Sequence, residues 1–182
     1  MTAEQDGVRI RRATPEDCEF LVELLTHEGV DPYLAVVRPR GRERVLAEIE
    51  RSHTEPEEFG RFVIEVDADG SWRAAGAMGF EIANRRSRIA NLGGLAVHPD
   101  FRGRRLADTA ARLLQRHLLD DLGYHRLQLE IYGFNERAIR HAERAGFVRE
   151  GVRRKAYRRG DTWVDGVLFG LVREDLEDGR AS

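Results

Sequence analysis

Apolar residues recur along this chain with two periods, and the switching between them marks out its elements. Val8 to Arg12 alternates apolar and polar positions as a strand does. Thr14 then suits a helix N-cap, with Pro15 at the first helical position and Asp17 three residues after the cap. Cys18, Leu21, Leu24 and Leu25 fall at helical spacing and form a buried stripe, so Cys18 reads as a core thiol. After a Pro- and Gly-punctuated connection from Glu28 to Gly41, Val45, Leu46 and Ile49 mark a second amphipathic helix. Phe62 to Val66 and Trp72 to Ile82 read as strands joined by Asp67-Ala68-Asp69-Gly70, and a polar turn from Asn84 to Arg88 precedes a strand ending at Val97.

Leu106, Ala110, Leu113, Leu114 and Leu118 return to helical spacing, and Leu122-Gly123 stops that helix. A strand from Tyr124 to Tyr132 and a helix starting near Asn135 complete a parallel crossover. Two further strands, about Phe147 to Tyr157 and Trp163 to Val172, are separated by Arg158-Arg159-Gly160-Asp161. The pattern predicts a mixed α/β fold of about seven strands and four helices in a mostly antiparallel sheet, over residues 1–176. Residues 177–182 read as a frayed tail.

Composition narrows the function. With 182 residues and 41% hydrophobic content the chain can bury a core, and nothing divides it. The 30 basic and 32 acidic residues leave a net charge of −2, which argues against a generally basic, nucleic-acid-binding surface. A single cysteine excludes an internal disulfide framework, and no C-x-x-C or His cluster points to a metal. No signal peptide or bilayer-length apolar run is present, so a soluble cytoplasmic protein without a membrane partner is expected.

The most telling chemistry lies in V-H-P-D-F-R-G-R-R-L-A from Val97 to Ala107, which joins an apolar, glycine-rich strand to a helix through a basic turn. The first N–H groups of a helix lack internal partners and carry the positive end of its dipole, so a phosphate placed there gains hydrogen bonds and charge compensation. Neither G-x-x-x-x-G-K-[ST] nor a strand followed by G-x-G-x-x-G is present, which argues against nucleotide triphosphatases and dinucleotide dehydrogenases.

That turn, with N-E-R-A-I-R-H-A-E-R-A-G-F from Asn135 to Phe147 and R-E-G at Arg149 to Gly151, resembles the GNAT superfamily of acyl-CoA-dependent N-acyltransferases, in particular its RimJ/RimL branch. The resemblance runs from Val8 to Glu177. It implies a single domain whose sheet splays at the coenzyme-binding strand pair, with acetyl-CoA as co-substrate and no metal. The resemblance places Leu95, Ala96 and Val97 against the pantetheine amides and Arg102, Gly103, Arg104, Arg105, Leu106 and Ala107 around the diphosphate. Asn135 matches the asparagine that bonds the coenzyme or an ordered water, and it also suits an N-cap. Arg105 departs from the family pattern, which has glycine there. As a residue of the first helical turn it is expected to point outward and meet the diphosphate as a cation. Trp163 and Asp165 match an aromatic-x-Asp feature of the branch.

The implied reaction is attack of a neutral amine on an acetyl thioester, aided by proximity, by backbone N–H groups near Leu95 and Ala96, and by proton carriers. The carriers do not transfer simply: Asn91 stands near a family glutamate, Ala142 at a tyrosine position and Ala138 at a serine position. In Leu127 to Tyr132, alternation puts Gln128, Glu130 and Tyr132 on one face, which suggests a cleft. Glu130 is therefore the first candidate for a water-relayed base, Tyr132 for an acid or orienting hydroxyl, and Glu81 for a second base. Without a strong base, an α-amine of pKa roughly 7.7–8.0 is easier to acetylate than lysine at roughly 10.4.

Glu28, Asp31, Glu55, Glu57 and Glu58 lie in connections that wall the acceptor site in relatives, where solvated loop acids are the commoner explanation and a cationic acceptor the sharper one. His98, His117, His125 and His141 have no convincing partners in sequence and read as surface or packing residues. The expectation is an N-acetyltransferase acting on a primary amine of a small molecule or a protein N-terminus. An acyl-CoA-sensing module with little turnover and a succinyl-CoA-dependent enzyme are the alternatives, and many relatives are homodimers.

Overall fold

Asp6 and Gly7 both take positive φ, 53° and 68°, the combination a tight two-residue hairpin turn requires. They fold β1 (Thr2–Gln5) back onto β2 (Val8–Arg12), adding an eighth strand to the seven that periodicity marks. The computed structural model describes residues 1–33 and 41–177. The middle of the Glu28 to Gly41 connection, 34–40, and the tail beyond 177 lie outside the described residues.

The remaining elements follow in the order the periods set. They are α1 (Cys18–Thr26), α2 (Arg42–Thr54), β3 (Phe59–Ala68), β4 (Ser71–Asn84), β5 (Ile89–Val97), α3 (Leu106–Arg116), β6 (Arg126–Tyr132), α4 (Glu136–Arg144), β7 (Val148–Arg159), β8 (Thr162–Val172) and a short α5 (Arg173–Glu177). All eight strands form one sheet in the order β1-β2-β3-β4-β5-β6-β8-β7. Every pairing is antiparallel except β5 with β6, the two strands joined through α3.

Alternation along each strand divides the core between the sheet's two faces. On one face Leu127 of β6 and Phe80 of β4 are buried with Ala110, Leu114 and Leu118 from α3 and its extension and with Ala142 of α4. On the other, Val63, Ala77 and Ala96 are buried with Cys18, Leu21 and Leu25 of α1 and Val45 and Ile49 of α2. Cys18 is a core residue, as its spacing predicts. No helix among the described residues is long and apolar enough to cross a membrane.

Two departures from regular pairing shape the centre of the sheet. Between the rungs Ala77↔Ala96 and Gly79↔Gly93, β4 supplies one residue, Met78, and β5 two, Gly94 and Leu95. This is a β-bulge, with Gly94 at φ 66°. Secondly, β5 and β6 pair only at Ile89↔Arg126, Ala90↔Leu127 and Asn91↔Gln128. Beyond that last rung no pairing joins them among the described residues, so the strands part and leave the bulged half of β5 facing an open cleft.

Candidate coenzyme and acceptor cleft

The cleft has a volume of about 1140 Å³ and is walled by the bulged half of β5, the turn into α3, and α4. Leu95, Ala96 and Val97 line it, as do all the residues from Arg102 to Ala107, and Asn135. The turn is built by Pro99–Phe101, which forms a short 3-10 helix, and by Gly103 at φ 84°. Arg104 and Arg105 are exposed there.

Arg105 does not sit in the helical first turn, as its place in the sequence suggested. It is the residue before the helix and adopts the left-handed conformation, φ 55° and ψ 21°. The glycine of the family pattern thus answers a backbone need as well as close approach, and arginine meets that need under strain while its side chain remains in solvent. Arg102 also differs from a freely mobile cation. Its guanidinium donates to the Gly29 carbonyl at 2.7 Å and to the Val97 carbonyl at 3.3 Å. Burial and the neighbouring Arg137 cation lower its pKa from the ordinary guanidinium value, the condition an arriving anion would relieve.

Asn135 caps α4, its Oδ1 accepting from the Ala138 N–H at 3.2 Å. One turn further, His141 has the partner that sequence did not reveal: its Nδ1 lies 2.7 Å from Asp108 Oδ1 on α3, and Arg144 approaches the same oxygen at 3.3 Å. Burial pushes the Asp108 carboxyl up, but His141 and Arg144 outweigh it and its pKa falls. Burial lowers His141 despite Asp108, favouring a neutral imidazole. All three residues line the cleft beside Ala138 and Ala142. His117 is also partnered, through Asp121 at 2.8 Å, by the i, i+4 spacing that sequence displays.

On the face of α1 and α2, Glu81, Asn91 and Gln128 share one row across the sheet, and Gln128 donates to Asn91 Oδ1 at 2.7 Å. Glu81 is engaged by Arg51 at 2.7 Å and lines the same cleft as Glu130. Glu130 and Tyr132, further along the same face of β6, are brought together with two residues of β7 not singled out in sequence. Glu130 Oε2 accepts from Arg153 at 2.9 Å, while Oε1 is buried and makes no hydrogen bond among the described residues. The Tyr132 ring meets Tyr157 edge-on at 5.2 Å and stacks on Phe134 at 5.4 Å. Burial, then the adjacent Glu130 carboxylate, push the Tyr157 phenol up to about 12.

This arrangement depends on Asp165. Between Arg153↔Gly166 and Tyr157↔Val164, β7 carries a bulge with Lys155 at φ 50°, and the Lys155 N–H donates to the Asp165 carboxylate at 2.7 Å. The Asp165 carbonyl accepts from the Gly133 N–H at 2.8 Å, fixing the turn after β6. Gly166 leaves room for this arrangement: a Cβ there would overlap Glu130 Oε1 and lie 2.8 Å from Tyr157 Cε2, so both side chains would have to shift.

A family model described as the acetyltransferase (GNAT) domain matches residues 8–148. The chain belongs to the GNAT acetyltransferase family. A curated relative, the SPbeta prophage-derived uncharacterized N-acetyltransferase YokL of Bacillus subtilis (strain 168), is 34% identical over 83 residues. That match covers 46% of this chain and 47% of the relative, so the chain spans about half the relative's length. Among solved structures, a spermidine N-acetyltransferase from Vibrio cholerae in complex with CoA and spermine superposes with a TM-score of 0.82 at 19% identity, covering 94% of this chain and 98% of that one. A ribosomal-protein-S5-alanine acetyltransferase from Vibrio fischeri superposes at 0.80 with 15% identity, covering 96% and 98%. These neighbours share the GNAT fold, including the open, largely antiparallel sheet expected from the sequence.

Proposed function

We propose that this chain transfers an acetyl group from acetyl-CoA to a primary amine, of a small molecule or a protein N-terminus, in the cytoplasm. One observation carries the reading: β5 and β6 part after the Asn91↔Gln128 rung, and the strand that loses its partner runs straight into the basic turn and the start of α3. A linear molecule with a diphosphate at one end fits this shape, its amides replacing the missing strand against Leu95 to Val97 and its phosphates meeting the N–H groups ahead of Leu106.

When bound, acetyl-CoA supplies a thioester whose carbonyl carbon takes the amine and whose sulfur leaves. The bulge at Gly94 and Leu95 frees backbone N–H groups of the kind that stabilise negative charge on a carbonyl oxygen. Glu130, through Oε1 and a water, accepts the proton that the attacking amine sheds. Tyr157 stays protonated at neutral pH and donates to or orients the groups beside Glu130. Tyr132 serves mainly as the ring against which Tyr157 and Phe134 pack. Glu81 orients Arg51. The neutral His141, held by Asp108, gives the coenzyme wall a group able to exchange a proton where Ala138 and Ala142 cannot.

The test is thiol release from acetyl-CoA against amino acids, short peptides, amino alcohols, aminoglycosides and polyamines. Amine-dependent release supports transfer. Acetyl-CoA binding by calorimetry with no release across the panel would favour a sensor, and faster release from succinyl-CoA at one fixed acceptor would change the donor.

A further inference from the structure

Several of the acids around the acceptor end of the cleft are already matched by arginines. Arg51 engages both Glu55 and Glu81. Arg85 engages Glu58, Arg61 engages Glu48, and Arg153 engages Glu130. A polycationic acceptor would have to displace these cations to reach a carboxylate, and among the loop acids weighed above only Glu28 lines the cleft.

Arg159 has the opposite character. Its guanidinium lies over the rings of Tyr132, at 5.3 Å, and Phe134, at 5.8 Å, and it makes no ion pair among the described residues. Phe134 lines the cleft and packs in turn against Tyr33 of the loop after α1, at 6.2 Å. The hairpin holding Arg159 is well defined: Arg159 pairs with Thr162, whose hydroxyl donates to the Arg159 carbonyl at 3.0 Å, and Gly160 turns at φ 57°. A guanidinium held over aromatic rings has its position set while N–H donors remain available, and these match the two oxygens of a carboxylate or phosphate. Arg154 and Lys155, exposed on the same strand, add to the positive field at this end.

We propose that Arg159 selects the acceptor: the amine that this protein acetylates carries a carboxylate or phosphate, which Arg159 grips while the amino group reaches the cleft beside Glu130. The inference rests on the acetyl-transfer reading above. It differs from the cationic acceptor that the loop acids suggested in sequence, because Glu55 and Glu58 among them are paired with arginines in the fold.

The experiment compares kcat/KM, from thiol release, within matched pairs: a dipeptide against its C-terminal amide, and phosphoethanolamine against ethanolamine, each expressed per neutral amine. The acidic member of at least one pair is expected to be favoured about tenfold or more, chiefly through KM, and the pair that responds identifies carboxylate or phosphate. In Arg159→Met that ratio is expected to fall close to one, and Arg159→Lys to recover part of it. Each ratio is internal to one variant, so partial loss of folded protein cannot mimic the effect. Equal rates within both pairs, or a preference that Arg159→Met does not reduce, would overturn the inference and leave acetyl transfer standing. Silence from every amine would overturn both.

Discussion

The guanidinium of Arg102 donates to the carbonyl of Gly29 at 2.7 Å, which ties the basic turn before α3 to the loop following α1. Two walls of the cleft thus share a side chain. Arg102→Ala is expected to weaken acetyl-CoA binding about tenfold, as loss of a charge-assisted contact does, and to raise the acceptor KM as Gly29 loses its tether. Circular dichroism should show the fold retained. Wild-type affinity for acetyl-CoA by calorimetry would remove Arg102 from the diphosphate site.

Arg105 holds a left-handed conformation that costs a residue with a side chain about 1 kcal/mol or somewhat more. Arg105→Gly removes that cost, although glycine gives part of it back through the greater freedom of the unfolded chain. The melting temperature is expected to hold or rise by about 2–4 °C, the shift that about 1 kcal/mol produces in a domain of this size. The same variant loses an exposed cation, so acetyl-CoA affinity should become less sensitive to salt. A marked fall in melting temperature would mean that the arginine side chain contributes more than its backbone costs.

The pair of His141 and Asp108, at 2.7 Å, sets a direction for the pH dependence of stability. Both groups have folded-state pKa values below their ordinary ones, so the unfolded chain binds more protons than the folded chain. Their contribution is therefore complete above the ordinary histidine value of 6.5 and is lost as pH falls through the lowered value of His141, with the Asp108 contribution lost below 3.8. Urea unfolding at pH 7.5, 6.5 and 5.5 should show declining stability. His141→Gln keeps a donor for Asp108 but cannot titrate, and it is expected to flatten that decline. An unchanged slope would assign the dependence to other groups.

Local rules carried a good deal of this protein. The helical stripe from Cys18 to Leu25, the alternation in Val8 to Arg12 and Leu127 to Tyr132, and the turns at Asp67–Gly70 and Arg158–Asp161 are set by side-chain period and turn chemistry over a few residues, and the fold retains them. The Asp6-Gly7 hairpin obeyed the same chemistry but lay in a polar stretch too short to announce its strand. The turn from Arg102 to Ala107 was legible because strand end, basic residues and helix start are contiguous in the chain.

Tertiary structure decided whatever depends on register and twist between distant segments. That β5 and β6 part after three rungs is invisible to periodicity, since the same residues could have paired along their whole length. His141 with Asp108 and Glu130 with Arg153 are 33 and 23 residues apart, and no spacing rule links them. The loop acids illustrate the difference most directly: their sequence offered negative charge to an acceptor, and folding brought Arg85 onto Glu58, 27 residues away, instead. A charge is local to its residue, whereas the field a ligand meets is the sum over the neighbours that folding assembles.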